Sequence, residues 1–177
     1  MTLDEFDRLF DVFEASAFHL ETHQHYAVSE EDERLRAFRQ GLPRPERSVR
    51  TTPWLRRIAV STATEGKRWC RVHLIEHPLT EYLRYQLVGY IESQAAGEEI
   101  RLADRRTHSD LADLGPDSWL FDAGTANAFG VVLHFDRNGH LIRIEQTDNV
   151  RELERQRETA LARSLSLAEF LAPHRDV

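Results

Sequence analysis

Lysine is almost missing from this sequence: Lys67 is the one lysine among 23 basic residues, so any chemistry that needs an amine nucleophile has a single candidate. A GC-rich coding sequence is the plain explanation for the arginine bias. Cysteine is equally scarce. With Cys70 alone, an internal disulfide framework is excluded, which fits a reducing compartment. No apolar run approaches the roughly 20 residues that a membrane-spanning helix needs. The opening Met1-Thr-Leu-Asp-Glu-Phe-Asp7 is acidic where a secretory leader would be basic, so a cytoplasmic protein is expected. Glycines are few and scattered (Gly89, Gly97, Gly115, Gly124, Gly130), and no glycine-rich phosphate loop occurs. Positive charge is also in deficit. A formal net charge of −7 argues against direct nucleic-acid binding, where clustered cations dominate affinity.

What is present describes an ordinary folded domain. The chain has 177 residues, 41% apolar and 30% charged, and no repeat or domain boundary interrupts it. Leu3, Phe6, Leu9, Phe10 and Phe13 fall at helical spacing. Residues 17–26 then alternate, with Phe18, Leu20, Thr22 and Tyr26 on one side and His19, Glu21, His23 and His25 on the other. Ser29-Glu-Glu-Asp32 reads as a capping box opening a short helix that ends at Gly41. Residues 42–51, with Pro43, Pro45 and several arginines, read as an exposed loop. Thr52-Pro53 starts a further helix, closed by Gly66.

Residues 68–103 organise the rest as strand, helix and strand, a parallel right-handed βαβ unit. Asp136-Arg-Asn-Gly139 marks a hairpin between the later strands. The expected fold is α/β (α+β): one domain over residues 1–177, with a mixed sheet of about six strands flanked by helices. A helical tail is expected from about residue 164.

Two constellations invite a chemical reading. His19, Glu21, His23 and His25 share one side of a strand with successive positions about 6.6 Å apart, which makes His19, His23 and His25 candidates for a metal. The bland alternative is a solvated polar face, and no metal or other cofactor is expected. The second constellation is the helix start at Thr80, with Tyr82, Arg84 and Tyr85 following, and Arg105 and Arg106 leaving the next strand. Free amides and guanidinium groups there suit an anion. The competing reading pairs these arginines with Glu76, Glu81, Glu98 and Glu99. Asp117, Trp119 and Asp122 join the candidates for positioning a ligand or partner, against readings of Trp119 as a core residue and Asp122 as a turn cap. Cys70, in mid-strand, is expected to be buried and inert. No catalytic residue is assigned.

Several stretches resemble an uncharacterised actinobacterial family, a domain of unknown function often encoded beside helix-turn-helix regulators. They are Ser16-Ala-Phe-His-Leu-Glu21 with Tyr26, Glu30-Glu-Asp-Glu33, Glu76-His-Pro-Leu-Thr-Glu-Tyr-Leu-Arg-Tyr85, Ala96-Gly-Glu-Glu-Ile-Arg101 with Arg105-Arg106, Ser109-Asp-Leu111 and Asp117-Ser-Trp-Leu-Phe-Asp122. Ala123-Gly124 departs from the family pattern, which continues with an acidic residue. The order of elements is also similar to half of a phospholipase D-like fold. That chemistry needs a histidine two residues before a lysine, and Lys67 follows Glu65-Gly66, so hydrolysis of that type is excluded.

The resemblance implies a regulatory or interaction protein acting through a protein partner, such as a helix-turn-helix regulator. An acidic surface suits a basic protein rather than DNA or a membrane, and a homodimer is compatible with the same features. The alternative is a small anionic-ligand binder or enzyme, which a deep pocket containing Arg84 and Arg105 would favour.

Overall fold

The alternation that begins at residue 16 becomes the central strand of the molecule, β1 (Ser16–Glu21), and the sheet grows outward from it. The computed structural model describes residues 1–172. Helix α1 (Leu3–Val12) precedes β1 and opens on a capping box: Thr2 accepts the Glu5 amide and Glu5 accepts the Thr2 amide. The capping box expected at Ser29 does not form. Residues 29–31 make a single 3-10 turn without a side-chain cap, and Ser29 spends its hydroxyl on Glu30 before α2 (Asp32–Arg39) begins. Helix α3 (Pro53–Glu65) starts on proline and is closed by Gly66, whose φ of 68° suits a residue without a Cβ.

The expected βαβ unit is present as β2 (Arg68–Ile75), α4 (Glu81–Ala95) and β3 (Glu98–Asp104), with β2 and β3 parallel. Thr80 caps α4 by accepting the Leu83 amide at 3.1 Å. The chain continues through β4 (Ser118–Phe121), β5 (Phe129–Phe135), β6 (Leu141–Thr147), α5 (Val150–Ala162), β7 (Leu165–Ser166) and α6 (Leu167–Leu171).

The sheet is mixed and has seven strands in the order β6-β5-β4-β1-β2-β3-β7, against the six expected. The additional strand is short. Leu165 and Ser166 pair antiparallel with Leu102 and Arg101, so the tail begins as a sheet edge rather than as helix. The end of the expected helical tail, residues 173–177, lies outside the described residues.

Both faces of the sheet are covered. On one, Phe18, Leu20, Val72, Leu74, Ala103 and Leu120 pack under α5 through Leu153 and Ala160. On the other, α1 and α3 cover Trp69, Trp119, Phe121 and Val131, while α4 and α6 cover Ile75, Ile100 and Leu102. Between those two apolar groups runs a polar stripe. His19, Glu21, His73 and Glu98 are buried, so the solvated polar face expected for the alternate positions of β1 is instead interior. Helices stand over it. No helix among the described residues is long and apolar enough to cross a membrane.

Candidate functional site

Strand register builds the site. Parallel pairing sets His19 opposite Arg71 and Glu21 opposite His73, so four polar side chains share one face of two adjacent central strands. Glu98 enters from β3 and Tyr90 from α4. Arg71 donates from Nη1 to Glu21 Oε1 at 2.7 Å and from Nε to Glu98 Oε1 at 2.9 Å, with its guanidinium 5.6 Å from the Tyr90 ring centre. Tyr90 donates its hydroxyl to the other Glu21 oxygen at 2.7 Å. Burial alone would push the Glu21 carboxyl up; Arg71 outweighs it and holds the group well below the usual range. Burial would lower the Arg71 value, and Glu21 with Glu98 reverse that too. The guanidinium is thus shared by two carboxylates.

Above this stripe lies a cavity of about 500 Å³, whose wall includes His19, Glu21, Glu31, Arg71, Tyr82 and Tyr90. His19 stacks on Trp119 with ring centres 4.1 Å apart and an interplanar angle of 12°. Neither of its ring nitrogens has a hydrogen-bond partner among the described residues. Burial depresses its pKa to about 4, so at neutral pH it presents one N–H and one lone pair. Glu31 accepts from Tyr82 Oη at 2.9 Å and from Gln86 Nε2 at 3.2 Å. No cationic nitrogen among the described residues lies within ion-pair distance of it, and burial raises its pKa. Arg47, in the segment expected to be an exposed loop, is instead half-buried. It donates to the Gly89 carbonyl at 3.0 Å and to Ser93 Oγ at 3.2 Å.

The loop after β1 closes one side. Asp117, wholly buried, accepts the Thr22 amide at 3.1 Å, approaches His23 Nδ1 at 2.9 Å, and takes the Tyr26 hydroxyl. Burial would raise the Asp117 pKa; the bonds from His23, Thr22 and Tyr26 outweigh it and lower the value. The bond to Asp117 correspondingly raises the pKa of His23. Gly139 holds the loop from outside, donating no side chain: at φ 82°, a Cβ there would sit 2.6 Å from the His25 carbonyl oxygen. Its own carbonyl accepts the Ala27 amide at 2.9 Å.

The candidates named from sequence are placed apart. Of Thr80, Tyr82, Arg84, Tyr85, Arg105, Arg106, Trp119 and Asp122, only Tyr82 lines the cavity. Thr80 caps its helix and donates to the Gln24 carbonyl, and Arg84 donates to the Leu79 carbonyl. Tyr85 packs on Phe38. Arg105 faces Glu76 at 3.9 Å, and Arg106 pairs with Asp104 at 2.9 Å. Trp119 is core, and it reaches the site as the platform for His19. Asp122, at φ 52°, accepts the amides of Glu14, Ala15 and Ser16, so it fixes the chain entering β1.

The three histidines also separate: His19 is interior, His23 serves Asp117, and His25 packs against Tyr82 at the surface. Among the described residues no group of three or more His, Cys, Asp or Glu could hold a metal. Cys70 is half-buried, its thiol pushed up by burial to about 12.

The sequence reading placed neither Arg71 nor Glu31 in a site; Glu21 entered it only on the polar side of β1, and Glu98 only as a pairing partner for the arginines near Thr80. A usable signal existed: β2 is apolar on both faces yet carries Arg71 and His73 at alternate positions, and neighbouring β1 carries His19 and Glu21 in the same phase. Charges on central strands under helices must be paired or functional.

No curated protein and no solved structure matches this chain. One family does, described as a domain of unknown function (DUF6879), and its match runs over residues 4–172. Since that match reaches from the first turn of α1 to the end of α6, the chain belongs to the DUF6879 family.

Proposed function

We propose that this domain binds a small organic cation, an amine or guanidine carried on an apolar or aromatic body, in the cavity over β1 and β2. The observation that carries this reading is Glu31, a half-buried carboxylate in the cavity wall with no cation within ion-pair reach; Arg47, also in the wall, is engaged by Gly89, Ser93 and Glu92 and acts on Glu31 only at longer range. Arg71 cannot supply that charge, since Glu21 and Glu98 already share it. An incoming ammonium would pair with Glu31, lie against the rings of Tyr82 and Tyr90, and leave the neutral His19 ring to bond a polar group of the ligand. The ligand class therefore differs from the anion suggested by the arginine-rich segments of the sequence. No group in the cavity is placed as an activated nucleophile, and the reading is one of binding.

A thermal-shift panel tests it. Tyramine and agmatine should raise the midpoint of unfolding, benzoate and succinate should not, and Glu31→Gln should abolish the amine response while keeping the far-UV spectrum. Stabilisation by the carboxylates, or an undiminished amine response in Glu31→Gln, rejects the reading. The pH dependence has a definite sign. A cation competes with the proton on Glu31, so amine affinity should rise as pH rises through that raised pKa.

Action through a protein partner is the second reading, favoured by the net charge of −7 and by the regulatory company implied by the family resemblance. A helix-turn-helix regulator is the partner it points to. Co-purification with Arg84→Ala beside the wild type checks the surface, and equal recovery of a regulator removes Arg84 from it.

A further inference from the structure

The opposite end of the parallel strands holds a second cleft, of about 400 Å³, whose charge is reversed. Arg68, Arg101 and Arg157 line it beside Cys70, and Lys67 contributes to its wall. Glu99 is the one acidic residue in the lining, and it pairs with Arg101 at 3.2 Å. Lys67 is matched outside the cleft by Glu65 at 2.9 Å. Arg68 and Arg157 have no carboxylate partner among the described residues; Arg157 lies 5.7 Å from the Phe18 ring centre. In a chain with 30 acidic and 23 basic side chains, this is a local excess against the overall balance.

Strand phase explains the convergence. Cys70 stands opposite Phe18 on β1 and Glu99 on β3, so the side chains of these positions rise together toward α5, which supplies Arg157 and Leu161. Arg101 is braced from behind by Ser164, donating to its hydroxyl and its carbonyl, each at 2.8 Å. Thr62, also in the lining, keeps its hydroxyl shielded from solvent without a hydrogen-bond partner.

From this juxtaposition we infer a second binding site, distinct from the cavity over His19, that takes a small multivalent anion of the phosphate class between Arg68 and Arg157. Guanidinium groups meet phosphate oxygens in pairs, and Arg157 is held at the cleft by its ring contact without being neutralised. The Thr62 hydroxyl supplies an uncharged donor at the same wall. Cys70 takes no part in chemistry here: it is a wall atom, since a thiol so hard to ionise is no nucleophile.

Calorimetric titration of the full chain with inorganic pyrophosphate at low ionic strength is the test, with Arg157→Gln, Arg68→Gln and the distant Arg143→Gln alongside. The expected result is measurable binding, weakened roughly tenfold or more in Arg157→Gln and Arg68→Gln, the loss of one charge-assisted pair. Arg143→Gln should match the wild type. No binding, equal weakening in Arg143→Gln, or a preference for citrate over pyrophosphate overturns the inference. Glu31→Gln should leave pyrophosphate affinity unchanged, so a failure of the amine cavity does not carry over to this cleft.

Discussion

The two faces of one sheet, read on the same two strands, carry different loads. On the α5 side, Phe18, Leu20, Val72 and Leu74 present only carbon to their neighbours. One residue out of phase, His19, Glu21, Arg71 and His73 present titratable groups to the other side, where they are nearly as well buried. Alternation along a strand usually separates inside from outside. Here it separates packing from polar chemistry, because helices cover both faces. Burying such groups is costly unless each finds partners, and the stripe largely meets that condition through Arg71, Tyr90 and the His23 carbonyl. The His19 ring nitrogens, in the cavity wall, and Glu98 Oε2 are left without hydrogen-bond partners, while Glu31, also in the wall, is hydrogen-bonded but has no cation within ion-pair distance.

Removing the shared cation tests this contrast with the largest expected effect. Arg71→Met strands Glu21 and Glu98 beside each other in the interior and should cost about 3–5 kcal/mol of stability by urea titration, relieved as pH falls and the carboxyls protonate. A pH-independent loss would show that Arg71 acts by packing alone. On the apolar side, Leu74→Ala leaves a cavity and should cost about 2–5 kcal/mol at every pH where the protein folds.

His19 adds a pH signature of its own. Its folded pKa of about 4 lies below the ordinary 6.5, so the unfolded chain binds its proton first and stability falls as pH drops through that interval. The full effect is on the order of 3 kcal/mol, and His19→Phe should remove it from the difference curve between variant and wild type. Gly130→Ala probes the α5 side more gently. The new Cβ would sit 2.2 Å from Leu153 Cδ1, so about 1–3 kcal/mol is expected, with amine binding intact.

Much of the fold was legible in the sequence, for reasons that are local. The βαβ unit was written in period-2 and helical patterns around Gly97, and the hairpin in Asp136–Gly139. The boundary at Ser29 was not, since the Ser29 hydroxyl prefers Glu30 to a helix amide. Nor was β7, a two-residue strand that exists only because Arg101 and Leu102 leave an edge to pair with. The site was legible in composition but not in place. His19 and Tyr82 were singled out, yet the arginine that matters to the cavity is Arg71, and its role depends on strand neighbours 50 and 27 residues away. The arginines around Thr80 drew notice by their proximity in sequence, and most are occupied by local carbonyls and carboxylates. Spacing along a chain identifies a face; it does not tell what covers that face.

The most direct measurement is a tyramine titration followed by amide chemical shifts of the isotopically labelled protein. Saturable shifts at His19, Glu31, Tyr82 and Tyr90, with Leu20, Val72 and Ala160 unmoved, are the predicted result. Shifts that spare the first group, or that fall on the α5 side of the sheet, would contradict the assignment of the polar face as the binding face.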